Sequence, residues 1–357
     1  MRKLYSFLIG ILGIIVILMS GSIILQKNSE SDSRSDKLVI YNWGDYIDPD
    51  LLKKFTEETG IEIQYETFDS NEAMYTKIKQ GGTSYDIAVP SDYMIDKMIK
   101  DDLLAKLDKS KLIGMEHIGE EFLDKSFDPK NDYSIPYLWG TVGIVYNEQL
   151  VDQVPIHWED LWRPEYENSI MLVDGAREVM GIGLTTLGYS VNSKNIDHLH
   201  EAEETLQQLT PNIKAIVADE MKDYMIRGDA AIGVTFSGEA SEMMDGNEDL
   251  HYIVPSEGSN LWFDNLVLLK NMVHEEEAYA FLNFMNRPEN AAQNAEYIGY
   301  ATPNNTAKAL LPDEVKENQA LYLTDDVFKE LEIYENLGTE WLEIYNDLYL
   351  QIKMYRK

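Results

Sequence analysis

The chain has 357 residues, 63 of them acidic and 30 basic, for a formal net charge of −33. That length calls for two domains of roughly 150–170 residues, and the acidity argues against a nucleic-acid partner, since phosphate binding needs a positive face. No cysteine is present, which excludes disulfides, thiolate metal sites, a cysteine nucleophile and lipid attachment through an N-terminal cysteine.

In chain order, Arg2 and Lys3 precede an apolar run from Phe7 to Leu25, followed by a polar Ser/Asp-rich stretch to Asp36. A charged start and an apolar middle mark an export signal. A run of about 19 residues also approaches bilayer-spanning length, so a cleaved signal and a retained anchor both stand. Leu38 to Asn42 reads as a strand. Asp48-Pro49 opens a helix, with aspartate as cap and proline at the first helical position. Leu51, Leu52 and Phe55 form its apolar face and Gly60 stops it. Ile61, Ile63, Tyr65 and Thr67 alternate as a second strand. Ser70 caps a helix that turns Met74 and Ile78 inward, and Tyr85 to Val89 is a third strand. This β-α-β-α-β order predicts a mainly parallel sheet covered by helices. In such sheets ligands sit beyond the carboxyl ends of the strands.

Near Ile135 the texture changes. IPYLWGTVGIVYN is long, apolar and without helical period, and reads as an extended crossing into a second unit. HWEDLWRPEY reads as a short helix and turn. SIMLVDGAREVMGIGLTTLGYS reads as a strand, an acidic turn and a helix. Ile216 to Arg227 is helix-like, and GDAAIGVTFSGEA is a strand running into a turn. SNLWFDNLVLLK is a second crossing. Ala278 to Met285, Glu289 to Ile298 and Trp341 to Tyr355 are helices.

Catalytic patterns are scarce. The six histidines form no HExxH motif, the phosphate-loop spacing is absent, and GVTFSG has the wrong spacing for a nucleophile elbow. Asp45, Asp48 and Asp50 lack the glycine and terminal glutamate of a calcium loop. No metal and no cofactor is therefore expected. What recurs is an aromatic residue beside an acid at a strand end or crossing: Trp43 with Asp45 and Tyr46, Tyr93 beside Asp92, Trp262 with Asp264, and Phe236 shortly before Glu239. Carboxylates pair with ammonium groups through charge-assisted hydrogen bonds. Aromatic faces attract the cation and cover its methylenes. The pattern therefore favours an alkylammonium ligand. Its rival is an exported glycoside hydrolase, which also combines tryptophan platforms with paired carboxylates.

The motifs YNWGDYIDP, ETGI, SNEAMYTKIK, YDIAVPSDYMIDKM, FDPKNDYSIPYLWGT, DLWRPEY, DGAREV, LWFDN and IGYATPN, in this order, resemble the spermidine/putrescine-binding proteins of polyamine ABC transporters. The resemblance implies an α/β fold of the two-lobed type II periplasmic binding protein class. Each lobe would be a mainly parallel sheet flanked by helices, with the ligand in the cleft between them. Residues 37–139 and 263–308 would form the first lobe, and 140–262 and 309–357 the second. It implies a non-enzymatic, monomeric protein exported to the outer face of the cytoplasmic membrane or the periplasm, attached to the membrane or targeted through residues 1–36. Its lobes would close over a polyamine and deliver it to the permease subunits of an ABC transporter. Trp43, Asp45, Tyr46, Ser91 and Tyr93 would line the cleft from the first lobe, and Glu178 and Phe236 from the second. Trp262, Asp264 and Tyr300 would sit near the hinge. Glu335 falls at the place of a family glutamine. Where proteobacterial spermidine binders have an acid, this chain has Gly175, with Asp174 adjacent. Asp45 and Glu239 match the putrescine-preferring branch. The choice between spermidine and putrescine stays open.

Overall fold

The computed structural model describes residues 37–355 apart from Asp219; the expected export segment lies outside them. The first layer forms as its residues dictate. Strand β1 (Lys37–Trp43) buries Leu38 to Asn42. Helix α1 (Pro49–Thr59) starts at Asp48, whose carboxylate accepts from the Asp50 amide at 2.9 Å. Such a cap contributes about 1 kcal/mol. Gly60 ends the helix in the left-handed region, at φ 75°. Strand β2 (Glu62–Phe68), α2 (Asn71–Gln80, capped by Ser70), β3 (Ile87–Ala88) and α3 (Asp92–Lys100) follow. The third strand is shorter than the sequence suggested, and α3, with Met94, Ile95 and Met98 buried, was not foreseen.

The apolar run near Ile135 is one 14-residue strand, β4 (Ser134–Asn147). Beyond it come β5 (Ile170–Val173), α4 (Ala176–Thr186), α5 (Ile196–Leu209), β6 (Ile213–Val217), α6 (Glu220–Ile226), β7 (Ile232–Phe236), α7 (Ser237–Gly246), β8 (Leu250–Ile253) and β9 (Asn260–Leu268). Two expectations need correction here. Ile216 and Val217 end β6, whose partner β5 gives them a sheet edge to pair with, and the helix starts only at Glu220. After β7 the chain continues as α7 instead of a turn, because Ala240 and Met243 have a core to enter. Helices α8 (Glu275–Met285) and α9 (Pro288–Ile298) fall where expected, as does the C-terminal helix Thr339–Tyr355.

The strands run in the order β2-β1-β3-β9-β4-β7-β5-β6, with β10 (Glu332–Ile333) on β9 and β8 on β4. Pairing of β1 with β2 and β3 is parallel, as is β5 with β6 and β7. The two crossing strands are antiparallel to each other from Ser134 to Thr141. From Val142 onward β4 leaves β9 and pairs with β7. Two apolar clusters cover the faces of the β1 sheet and two more those of the β5 sheet. Leu311, Leu321 and Tyr322 belong to the first of these, whereas Leu337, Tyr345 and Leu348 belong to the second lobe's core. We propose on that basis a last lobe boundary near Glu332, later in the chain than 309.

Candidate functional site

The site forms where β1, β3 and β9 end against β7 and α4. At its centre, Asp264 on β9 is 6% exposed. Its Oδ2 accepts from the Tyr46 hydroxyl and its Oδ1 from the Ser91 hydroxyl, both at 2.6 Å. Burial pushes the Asp264 carboxyl up to about 6, against the lowering effect of these two donors. Asn71 holds Ser91 in place through both its amide atoms, each at 3.0 Å. The Tyr137 hydroxyl donates to the Tyr46 carbonyl at 2.8 Å. Neither supporting residue was singled out beforehand, although Asn71 stands in the quoted SNEAMY motif.

A run of edge-to-face rings leads from this carboxylate into the second lobe. Tyr46 meets Tyr300 at 5.8 Å, Tyr300 meets Trp262 at 5.1 Å, and Trp262 meets Phe236 at 6.3 Å. Such pairs prefer tilted geometry because ring edges are positive and faces negative. Trp262 lies against Gly140, where a Cβ would sit 2.4 Å from the indole. Tyr300 lies against Gly238 at the start of α7, where a Cβ would come within 2.0 Å of the ring. The Tyr300 ring therefore meets the start of α7 at backbone distance, and position 238 tolerates this only as glycine.

Glu178, in the first turn of α4, folds back over Gly175. A Cβ at position 175 would lie 2.1 Å from its Oε2. Burial raises the Glu178 carboxyl, and the Glu72 charge adds to that. Its own backbone amide, Arg177 and the Tyr334 hydroxyl work the other way. Tyr93 donates to Glu72 at 3.2 Å, and burial followed by Glu72 raises its own hydroxyl. Asp92 is fully buried and accepts from the amides of Tyr93 at 2.6 Å and Phe263 at 3.1 Å. Burial raises it to about 8.

Other expected residues fall differently. Trp43 is half-buried, its ring 4.6 Å from that of Phe68 and tilted at 55° to it, and it has no ring contact with the Tyr46–Phe236 run. Its indole nitrogen and that of Trp262 are buried without an acceptor. Asp45 is exposed in a left-handed turn at φ 47°. Its side chain makes no hydrogen bond or ion pair among the described residues. Glu239 accepts from the Thr235 hydroxyl at the start of α7. Asp174 faces away, bound to Tyr349 and to Lys353 at 2.9 Å. Glu335 is exposed. Its amide donates to Asn192 at 2.8 Å and its carbonyl accepts from Arg177 at 3.3 Å. The neighbouring Tyr334 is the buried residue beside Glu178. A one-residue slip in an extended segment exchanges the inward and outward side chains, and no motif near Glu335 pins that register. Arg177, stacked 4.1 Å over Tyr334, fixes this segment.

No group of His, Asp or Glu that could hold a metal ion occurs among the described residues. No helix among them is long and apolar enough to cross a membrane.

Comparison with known proteins identifies the family and agrees with the fold. The bacterial extracellular solute-binding protein family matches residues 50–322. The spermidine/putrescine-binding periplasmic protein of Salmonella typhimurium is 39% identical over 342 residues, 95% of this chain and 98% of its own. The putrescine-binding periplasmic protein SpuD of Pseudomonas aeruginosa is 31% identical over 319 residues, covering 84% and 87% respectively. Among solved structures, the spermidine/putrescine ABC transporter substrate-binding protein PotD of Streptococcus pneumoniae, in complex with calcium and HEPES, superposes with a TM-score of 0.85 at 66% identity. It covers 90% of this chain and all of that one. The fold is that of the type II periplasmic binding proteins, and the chain belongs to the bacterial extracellular solute-binding proteins.

Proposed function

We propose that this protein binds a polyamine, spermidine or putrescine, outside the cytoplasm and delivers it to an ABC transporter. One observation carries the reading. Asp264 is a buried carboxylate at the head of a run of aromatic rings, and it has hydroxyl donors but no cationic partner among the described residues. A buried carboxylate left without a counter-charge is unstable relative to water, and an ammonium group supplies that charge. Tyr300, Trp262 and Phe236 offer ring surface for the intervening methylenes, and Glu178 offers a second carboxylate from the opposite lobe. The names of the relatives support the same ligand class and the transporter.

The rest of the reading follows the class. The protein acts by closure and carries out no chemistry of its own, works as a monomer, and meets the permease subunits with its lobes closed. Residues 1–36 serve as signal or membrane anchor. The hydrolase alternative loses its support, because the relatives are solute-binding proteins. Titration calorimetry of residues 37–357 with putrescine, spermidine and spermine tests the proposal. Saturable one-to-one binding of at least one amine is expected. Heat no greater than dilution for all three would reject it.

A further inference from the structure

A second concavity lies on the other face of the crossing strands. Side chains alternate along a strand. Gly140 carries the Trp262 indole on the cleft side, while its neighbour Trp139 joins the apolar cluster on the opposite side. There Trp139 meets Phe122 at 5.2 Å, Phe328 at 5.7 Å and Tyr322 at 6.3 Å. The recess these rings wall off has a volume of about 450 Å³, within the range of roughly 300–1,000 Å³ typical of small-molecule sites.

Its charge is unusual for this chain. In a protein with twice as many acids as bases, the recess is lined by two lysines, Lys308 and Lys329, against one carboxylate, Glu121. Lys308 is half-buried with its ammonium 4.3 Å over the Tyr322 ring. It makes no ion pair among the described residues, and burial holds it below the usual lysine range. Lys329 reaches only the exposed Asp326, at 3.8 Å. Trp139 is 3% exposed, and its indole N–H has no acceptor. Tyr322 and Phe328 stand at 75° and 84° to the indole, the tilted geometry that aromatic pairs prefer.

We propose that this recess is a second ligand site, for a small organic anion with a flat apolar body, such as an aromatic carboxylate. The rings take the body and Lys308 takes the carboxylate. The site stands independently of what occupies the cleft. It also backs onto the cleft, since the Trp139 amide donates at 3.0 Å to Ala301, next to Tyr300.

The test uses two probes sharing one ring system, indole-3-acetate and tryptamine, observed by saturation-transfer NMR on residues 37–357 held with excess spermidine and, separately, without it. Expected is indole-3-acetate binding in the millimolar range or tighter, insensitive to spermidine, with no tryptamine binding that survives spermidine. Lys308→Met should weaken it at least fivefold and Lys308→Glu abolish it, with melting temperatures within a degree of the parent. No binding at 5 mM would overturn the proposal. So would equal binding of tryptamine in the presence of spermidine, or unchanged affinity in both Lys308 variants.

Discussion

Replacing Asp264 with asparagine should move affinity and stability in opposite directions. In the ligand-free protein the carboxylate is ionised at pH 7 against its surroundings, because its folded-state value of about 6 lies above the ordinary 3.8. That difference corresponds to about 3 kcal/mol of unfavourable ionisation. With a raised folded value, the carboxyl's stabilising contribution is complete below the unfolded value near 4. It is lost as pH rises through 6 and does not change further above 7. Asparagine removes the charge and keeps the shape, though it accepts less well from Tyr46 and Ser91. The net gain should be on the order of 1 kcal/mol, a rise of a few degrees in melting temperature. Binding responds the other way. The ligand ammonium loses its counter-charge in a buried site, which costs about 3–5 kcal/mol, so the dissociation constant should rise by at least roughly a hundredfold at 1.4 kcal/mol per decade. The parent's affinity should also fall below pH 6, where a proton competes with the ammonium, and the variant should lose that dependence. Scanning calorimetry and isothermal titration from pH 5 to 8 read both effects. An Asp264→Asn protein that binds spermidine as tightly as the parent, or that melts several degrees lower, would refute the argument.

Gly238→Ala should weaken polyamine binding at least tenfold, because a methyl group there would come within 2.0 Å of the Tyr300 ring and hold the two segments apart; small-angle scattering should show no contraction on adding ligand. Trp43→Leu should keep the fold and lose about 1–2 kcal/mol of affinity through the missing ring face, measured by titration. If it instead loses several kcal/mol of stability and binds normally, Trp43 is packing for Phe68 and nothing more. Glu335→Gln should change affinity by less than a factor of two, since only its backbone is engaged; a tenfold loss by titration would place its carboxylate in the cleft.

Periodicity and punctuation made much of the fold legible. Asp48, Pro49 and Gly60 bracket α1 as residues of those types do, and the long, largely apolar text of β4 and β9, without helical period, reads as extended crossings. What failed was local. Val217 and Phe236 sit at junctions where the next element depends on a partner strand or core supplied by distant chain, which no window of sequence contains. Within the site, Ser91 and Tyr300 come only from the family resemblance, whereas Asp264, Tyr46, Trp262 and Phe236 were readable as acids and aromatics at strand ends or crossings. Asn71 was not, because its role is to hold Ser91 from another helix. Tyr334 was missed by one residue, since a short extended segment carries no signal for which of two neighbours faces in. The covering of Gly175 by Glu178 depends on a side-chain rotamer, which spacing alone does not specify.

The threading of β4 and β9 through both lobes also bears on how the protein reaches its folded state. Strand β3 has two hydrogen-bonded neighbours, β1 and β9, and the second lies about 180 residues later in the chain. The first lobe therefore cannot be completed while residues up to the end of the second lobe are still arriving. The second lobe is built largely from one continuous stretch, but its core also takes Leu337, Tyr345 and Leu348 from the end of the chain. Closing a loop of that length carries an entropic penalty before its contacts return anything, so both lobes should be completed late, the first by β9 and the second by the C-terminal helix. Chains truncated after Ser259 would leave the edge of β3 open and prone to pairing with another chain. Those same late contacts complete the pocket around Asp264, so binding competence should be among the last properties to appear during refolding.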